Sequence, residues 1–191
     1  ERLPNINPDK LGFRESLWYN KAHVWYSFLI QDFLSSYKYS LKWVEMFEKD
    51  PKMISIHPVF YLQGNNYLLE SLTFIKYPKK FKTTLDRMII QTEKVDFPNN
   101  ENLNTLIFLY KYNNWFNYYN FQGEFNNAKK IVSEVLKGIE TFKTQIDPHH
   151  IMMFYYKIAC SYFGLNDYEN CILYLNRIIS NRHLKMREDL L

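Results

Sequence analysis

Apolar positions recur along this chain at helical spacing, broken at intervals by polar turn residues and prolines. Tyr155, Ile158, Ala159 and Tyr162 fall on one face of a helix, and Cys171, Leu175 and Ile178 repeat the pattern beyond a polar Asn166-Asp167 break. Tyr112, Trp115 and Tyr119, followed beyond Gly123 by Ala128, Val132 and Val135, show the same rhythm. No strand-like alternation bounded by hairpin turn signals competes with it.

Helix punctuation then predicts the elements. A first helix is expected from about Gly12 to Phe33 and a second from Ser36 to about Lys49, closed by Asp50-Pro51 because proline cannot continue a helix. Pro58 opens a third, reaching about Ile75, and Pro78 opens a fourth that stops before Phe97 and Pro98. Asn100 caps a fifth, running to about Phe121 and stopping at Gly123, and Glu124 to about Lys143 forms a sixth. Asp147-Pro148 is a strong start signal for a seventh, ending at Gly164, since Asp accepts orphan amide hydrogen bonds and Pro is pre-set for the first helical position. An eighth helix spans about Asp167 to Ser180, and Leu184 to Leu191 opens a ninth.

The pairs also repeat. Aligning the phrases after each inter-helix turn brings Ser40, Phe81, Ala128 and Cys171 into register at intervals of 41, 47 and 43 residues, which points to one helix pair per repeat. Tyr155, Ile158, Ala159 and Tyr162, the Asn166-Asp167-Tyr168-Glu169-Asn170-Cys171 turn, then Leu175 and Ile178, resemble a tetratricopeptide repeat. Tyr112, Trp115, Tyr119, Gly123, Phe125, Ala128, Val132 and Val135 resemble a second, with Phe116 where the family prefers a small side chain. The resemblance covers residues 100 to 180 well and the remainder by architecture. It implies an all-α fold, a right-handed α-solenoid of about four antiparallel helix pairs. Small residues at Ala159 and Cys171 would let the paired helices approach closely, with Ala159, Tyr162, Cys171 and Leu175 buried together, and Phe116 would loosen the contact in its own repeat.

The same resemblance implies a binding surface on the first helix of each pair. On the third helix that stripe is Gln63, Asn66, Glu70 and Thr73, and on the fifth it is Tyr110, Asn113, Asn117 and Asn120. Asparagine amides both donate to and accept from a peptide backbone, so these exposed positions suit an extended peptide. The equivalent residues of the seventh helix, Met153, Tyr156, Cys160 and Phe163, are apolar and form either a hydrophobic pocket around Tyr156 or contacts to a following repeat.

Composition changes the picture mainly by exclusion. Five glycines in 191 residues leave little room for tight hairpins or phosphate-cradling loops, while 16 Tyr, 15 Phe and 4 Trp promise an aromatic core. A formal charge of +4 is too mild to mark a nucleic-acid binder. Lys76, Lys79, Lys80 and Lys82 read as a solvated turn, with an acidic partner as the alternative. Cys160 and Cys171 read as buried free thiols, and His149-His150 lack the spacing of a metal pair. His57, beside Pro58, reads as part of a helix start, and no nucleophile elbow, Walker loop or dinucleotide fingerprint is present.

The expectation is therefore a single helical repeat domain over residues 1–191, a piece of a longer chain, since it opens on Glu1 and ends inside a helix-like phrase. It is expected to bind a protein or peptide and not to be an enzyme, with no cofactor, no catalytic residue, no metal site, no membrane span and a cytoplasmic location. A peptide- or ligand-sensing module of a larger regulator and an RNA-binding helical array are the alternatives, nucleic acid being the less favoured partner.

Overall fold

The computed structural model describes residues 10–94 and 100–180, and all its regular structure there is helical. Nine helices follow in order among these residues: α1 Phe13–Leu29, α2 Phe33–Lys49, α3 Lys52–Ile56, α4 Pro58–Phe74, α5 Pro78–Lys94, α6 Glu101–Gln122, α7 Phe125–Thr141, α8 Pro148–Gly164 and α9 Tyr168–Ile179. Phe97, Pro98 and the ninth helix expected from Leu184 lie outside the described residues. Pro58, Pro78 and Pro148 each begin a helix, where a missing N–H costs no hydrogen bond. Asn100 and Asp147 cap as expected, accepting from the Asn102 N–H at 2.9 Å and the His149 N–H at 2.7 Å.

The hairpin turns share one backbone solution. Gln31, Lys76, Gly123 and Asn166 take φ values of 58°, 55°, 70° and 58°. The next residue in each turn, Asp32, Tyr77, Glu124 or Asp167, donates its N–H back to Ser27, Leu72, Tyr119 or Tyr162 at 2.8–3.0 Å. This left-handed closure satisfies helix-end carbonyls that would otherwise lack partners. It costs a residue with a Cβ about 1–2 kcal/mol, and Gly123 avoids that cost. The first turn falls at Ile30–Asp32, earlier than the Phe33 expected, with a glutamine in the left-handed position that no glycine marks. Asp32 then caps α2 from the Ser35 N–H at 3.0 Å.

Counting from the left-handed residues aligns the helix pairs differently from the sequence pattern. Ser36, not Ser40, stands where Phe81, Ala128 and Cys171 stand, and all four are buried. Ser36 and Ser71 share a hydrogen bond of 2.7 Å, which supplies the polar pairing a buried hydroxyl needs. On the first helices the matching positions are Val24, Leu69, Phe116 and Ala159, again all buried. Phe116 is accommodated fully, in one core with Ala128, Val132 and Val135.

Two compact units divide the chain, residues Glu1–Ile107 and Phe108–Leu191. In the first, α1 packs on α2, α2 on α4 and α4 on α5, with α3 tucked against α2 and α4. Its core holds Leu17, Val24, Trp43, Phe47, Leu62, Leu68, Leu69, Leu72 and Leu85, each contributing about 1.5–3 kcal/mol by leaving water. The Trp43 ring lies over Gly64, where an added Cβ would meet it at 2.9 Å. In the second unit one core runs from Phe108 and Phe116 through Val132, Ile139, Phe154 and Ile158 to Cys171 and Tyr174. Phe108 lies on Gly138 and Phe125 on Gly164, so ring-on-glycine contacts set close helix approach in both units.

One packing expectation fails. Ala159 and Cys171 are buried, but Tyr162 is only half-buried and Leu175 remains 38% exposed. Tyr174 takes the inward place, with its ring stacked on Tyr162 at 5.8 Å and tilted against Tyr155 at 5.9 Å. Arg177 reaches over the same two rings, so the helix turns its aromatic side inward and leaves Ile172, Leu173 and Leu175 outward.

Candidate functional site

Counted back from each left-handed residue, the predicted stripes of α4, α6 and α8 have equivalents on α1: Trp18, Lys21, Trp25 and Phe28. No glycine marks the first turn, so sequence spacing alone does not align this row with the other three. Trp18 and Trp25 are each half exposed, which is unusual for the residue that loses most by contact with water. Between them, the Lys21 ammonium lies 5.1 Å from the Trp18 ring, 4.8 Å from the Trp25 ring and 5.4 Å from the Phe60 ring. Burial holds its pKa below the ordinary lysine value.

Two contacts tie this row to α4. Lys21 donates to the Gln63 side-chain oxygen at 3.3 Å, and the Trp25 indole N–H donates to the Tyr67 hydroxyl at 2.7 Å. Beside them lies a shallow, solvent-open depression of about 440 Å³ lined by Trp25, Phe28, Leu29, Tyr67 and Glu70. Burial pushes the Tyr67 hydroxyl up, the Trp25 hydrogen bond opposes that, and the Glu70 charge adds to it. Of the predicted α4 residues, Glu70 is exposed and borders the depression, Gln63 is engaged by Lys21, Asn66 is half-buried, and Thr73 donates to the Leu69 carbonyl at 3.0 Å.

The second unit treats its stripe differently. Asn113 and Asn117, expected to be exposed, are half-buried, and both side-chain oxygens accept from the Lys157 ammonium on α8. Asn120 donates to the Lys157 carbonyl at 3.2 Å and accepts from the Ser161 hydroxyl at 2.8 Å. The 3-and-4 spacing placed these amides on one face correctly, but their partner comes from another helix, which spacing cannot reveal. Tyr110 is half-buried with its carbonyl accepting from Asn114 at 2.8 Å. Tyr156 is 58% exposed, and its hydrogen bond with Cys160 pushes its hydroxyl up. Phe163 beside it is 63% exposed and meets Tyr168 edge-on at 5.9 Å.

Other candidates are accounted for locally. Lys80 donates to the Tyr37 hydroxyl at 2.7 Å and Lys82 to Asp86 at 2.6 Å, while Phe81 between them is buried. His57 stacks on Phe13 at 5.9 Å, and His149 and His150 are exposed. Both thiols are free, Cys171 buried and Cys160 half-buried. Among the described residues no cluster of three or more His, Cys, Asp or Glu is placed to hold a metal, and no helix is long and apolar enough to cross a membrane.

Comparison with protein-family models, with characterised proteins and with solved structures finds no match to this chain. The α1–α4 face combines exposed indoles, a half-buried ammonium and a carboxylate-edged depression.

Proposed function

We propose that this chain is a non-enzymatic protein- or peptide-binding module built as a tetratricopeptide-like solenoid of about four helix pairs, with the first helices carrying the binding surface. The common left-handed closure of the hairpins and the matching buried positions on both helices of each pair support the repeat reading. The observation that carries the binding reading is the row Trp18, Lys21, Trp25 on α1. Half-exposed tryptophans leave apolar ring surface in water that a partner would favourably cover, and Trp is enriched among the residues that dominate interfaces. Gln63, Asn66 and Glu70 extend that face on α4. Tyr110, Asn113, Asn117, Asn120 and Tyr156 hold the equivalent positions in the second unit, but Lys157 and Ser161 already engage the asparagine oxygens there, so the open binding face is the one on α1 and α4.

The test is selection of peptides from a displayed random library against the full chain, followed by affinity measurement on the variant Trp18→Ala, Trp25→Ala. Both side chains are half exposed, so circular dichroism should show the variant folded while peptide affinity drops at least about tenfold, as removing interface anchors does. Undiminished binding by the variant, or the absence of any selected peptide, contradicts the proposal.

A further inference from the structure

We infer that the cavity lined by α2, α3, α4 and α5 is a binding site for one neutral aromatic ring of phenol size. Val44 and Phe47 of α2, Ile54 of α3 and Tyr61 of α4 wall it, and all four are buried. The Phe47 and Tyr61 rings already meet edge-on at 5.5 Å, so a ring entering beside them joins an aromatic pair. Such contacts attract beyond the apolar area they bury. No residue of the Trp18–Trp25 row lines this cavity, so the site stands independently of the binding face.

Volume and charge define the guest. About 150 Å³ matches the space in which an apolar protein cavity takes up benzene, and falls short of the roughly 300 Å³ at which pockets for drug-sized ligands begin. The rim carries Glu48 and Arg87, which form an ion pair between α2 and α5 with side chains 39% and 41% exposed. Because these two charges answer each other, a charged guest finds no counter-ion there and loses its own hydration on entry. A neutral ring leaves the pair intact. Burial pushes the Tyr61 hydroxyl up to about 12, so the wall itself stays uncharged at neutral pH. In the second unit the equivalent place is taken up by Phe108 lying directly on Gly138.

The experiment titrates four probes into the ¹³C-methyl-labelled full chain at neutral pH: phenol, cyclohexanol of matched size and similar hydrophobicity, benzoate, and 1-naphthol. The Val44 and Ile54 methyl signals, assigned from Val44→Ala and Ile54→Val, report on the cavity. Both should move saturably with phenol, which should bind about 2- to 10-fold more tightly than cyclohexanol, the scale of one aromatic contact. Benzoate should leave them in place because of its charge, and 1-naphthol because of its size. Val44→Phe and Ile54→Phe each put a ring into the space, so either should weaken phenol binding at least about tenfold, read at the remaining methyl. Both should stay folded, because the added ring fills existing space. Trp18→Ala with Trp25→Ala should bind phenol as the unchanged chain does. A phenol titration that does not saturate, cyclohexanol binding as tightly as phenol, or shifts with benzoate or 1-naphthol overturns the inference. So does undiminished phenol binding in a filled variant, loss of folding in both, or weakened phenol binding in the tryptophan variant.

Discussion

The two units place the same register positions under opposite demands. In the first, the α1 row carries two indoles too large for neighbouring groups to cover, and the face stays open around Trp25. In the second, the row carries short amides that one lysine, Lys157, draws together. Polar contacts thus join α6 to α8, as those of Lys21 and Trp25 join α1 to α4, but they leave no indole standing out of the face. A second pair of equivalent positions repeats the contrast. Phe108 lies on Gly138 and the second unit is closed there. The matching residues of the first unit, Tyr61 and Gln91, line a cavity of about 150 Å³ with Phe47, Ile54, Glu48 and Arg87. Side-chain size at equivalent sites therefore decides whether a hairpin closes on itself or leaves space.

Alkaline pH should separate the units most strongly. Burial pushes the Tyr61 hydroxyl up to about 12, so the folded chain holds that proton more tightly than the unfolded chain does. The stability it contributes is complete below about pH 10 and is lost as pH rises toward 12, a swing of about 2–3 kcal/mol. Denaturant unfolding at pH 9 and pH 11.5 should show part of that loss, and Tyr61→Phe, which copies Phe108, should reduce it, while Tyr67 and the other buried tyrosines keep their own share. Tyr112 in the second unit is also pushed up to about 12 by burial and by its bond to Glu134, but it is half-exposed, so Tyr112→Phe should change the profile less.

Next in size is the contact between Phe108 and Gly138. Gly138→Ala gains about 1 kcal/mol of helix propensity, yet the added methyl collides with the ring, and overpacking of this kind costs about 1–3 kcal/mol. Gln91→Ala at the equivalent place should be near neutral because it lines a cavity instead of a ring contact. Equal effects of the two substitutions in thermal unfolding would erase the contrast.

How much of this was legible follows from the range of each interaction. Pro58, Pro78 and Asp147-Pro148 were found because proline and cap chemistry act within a few residues of themselves. The turn at Gln31 was missed because a left-handed glutamine has no signature, and with it went the alignment that would have shown Trp18 and Trp25. The five-residue α3 is too short to carry a period. Leu175 and Tyr174 both fit an amphipathic pattern, and only the tertiary contact of Tyr174 with the Tyr162 ring stacked on it and the Tyr155 ring tilted against it decides which turns inward. The asparagine stripe was located correctly as a face, whereas the ammonium that engages it arrives from residue 157 by tertiary packing.

A smaller effect tests the polar stripe itself. Asn113→Ala with Asn117→Ala removes two acceptors that the structure gives to Lys157, and should destabilise the chain by about 1–2 kcal/mol. Peptide affinity should change less than about twofold so long as the remaining protein is folded, because the open row lies on α1 and α4.

The open-row claim meets its most direct test in a single titration. A peptide selected against the full chain is added to ¹⁵N-labelled protein while the indole N–H signals of Trp18 and Trp25 and the side-chain amide signals of Asn113 and Asn117 are followed together. The account predicts saturable shifts at the two indoles and stationary asparagine amides. Shifts at Asn113 and Asn117 with both indoles unmoved would contradict it and return the binding surface to the second unit.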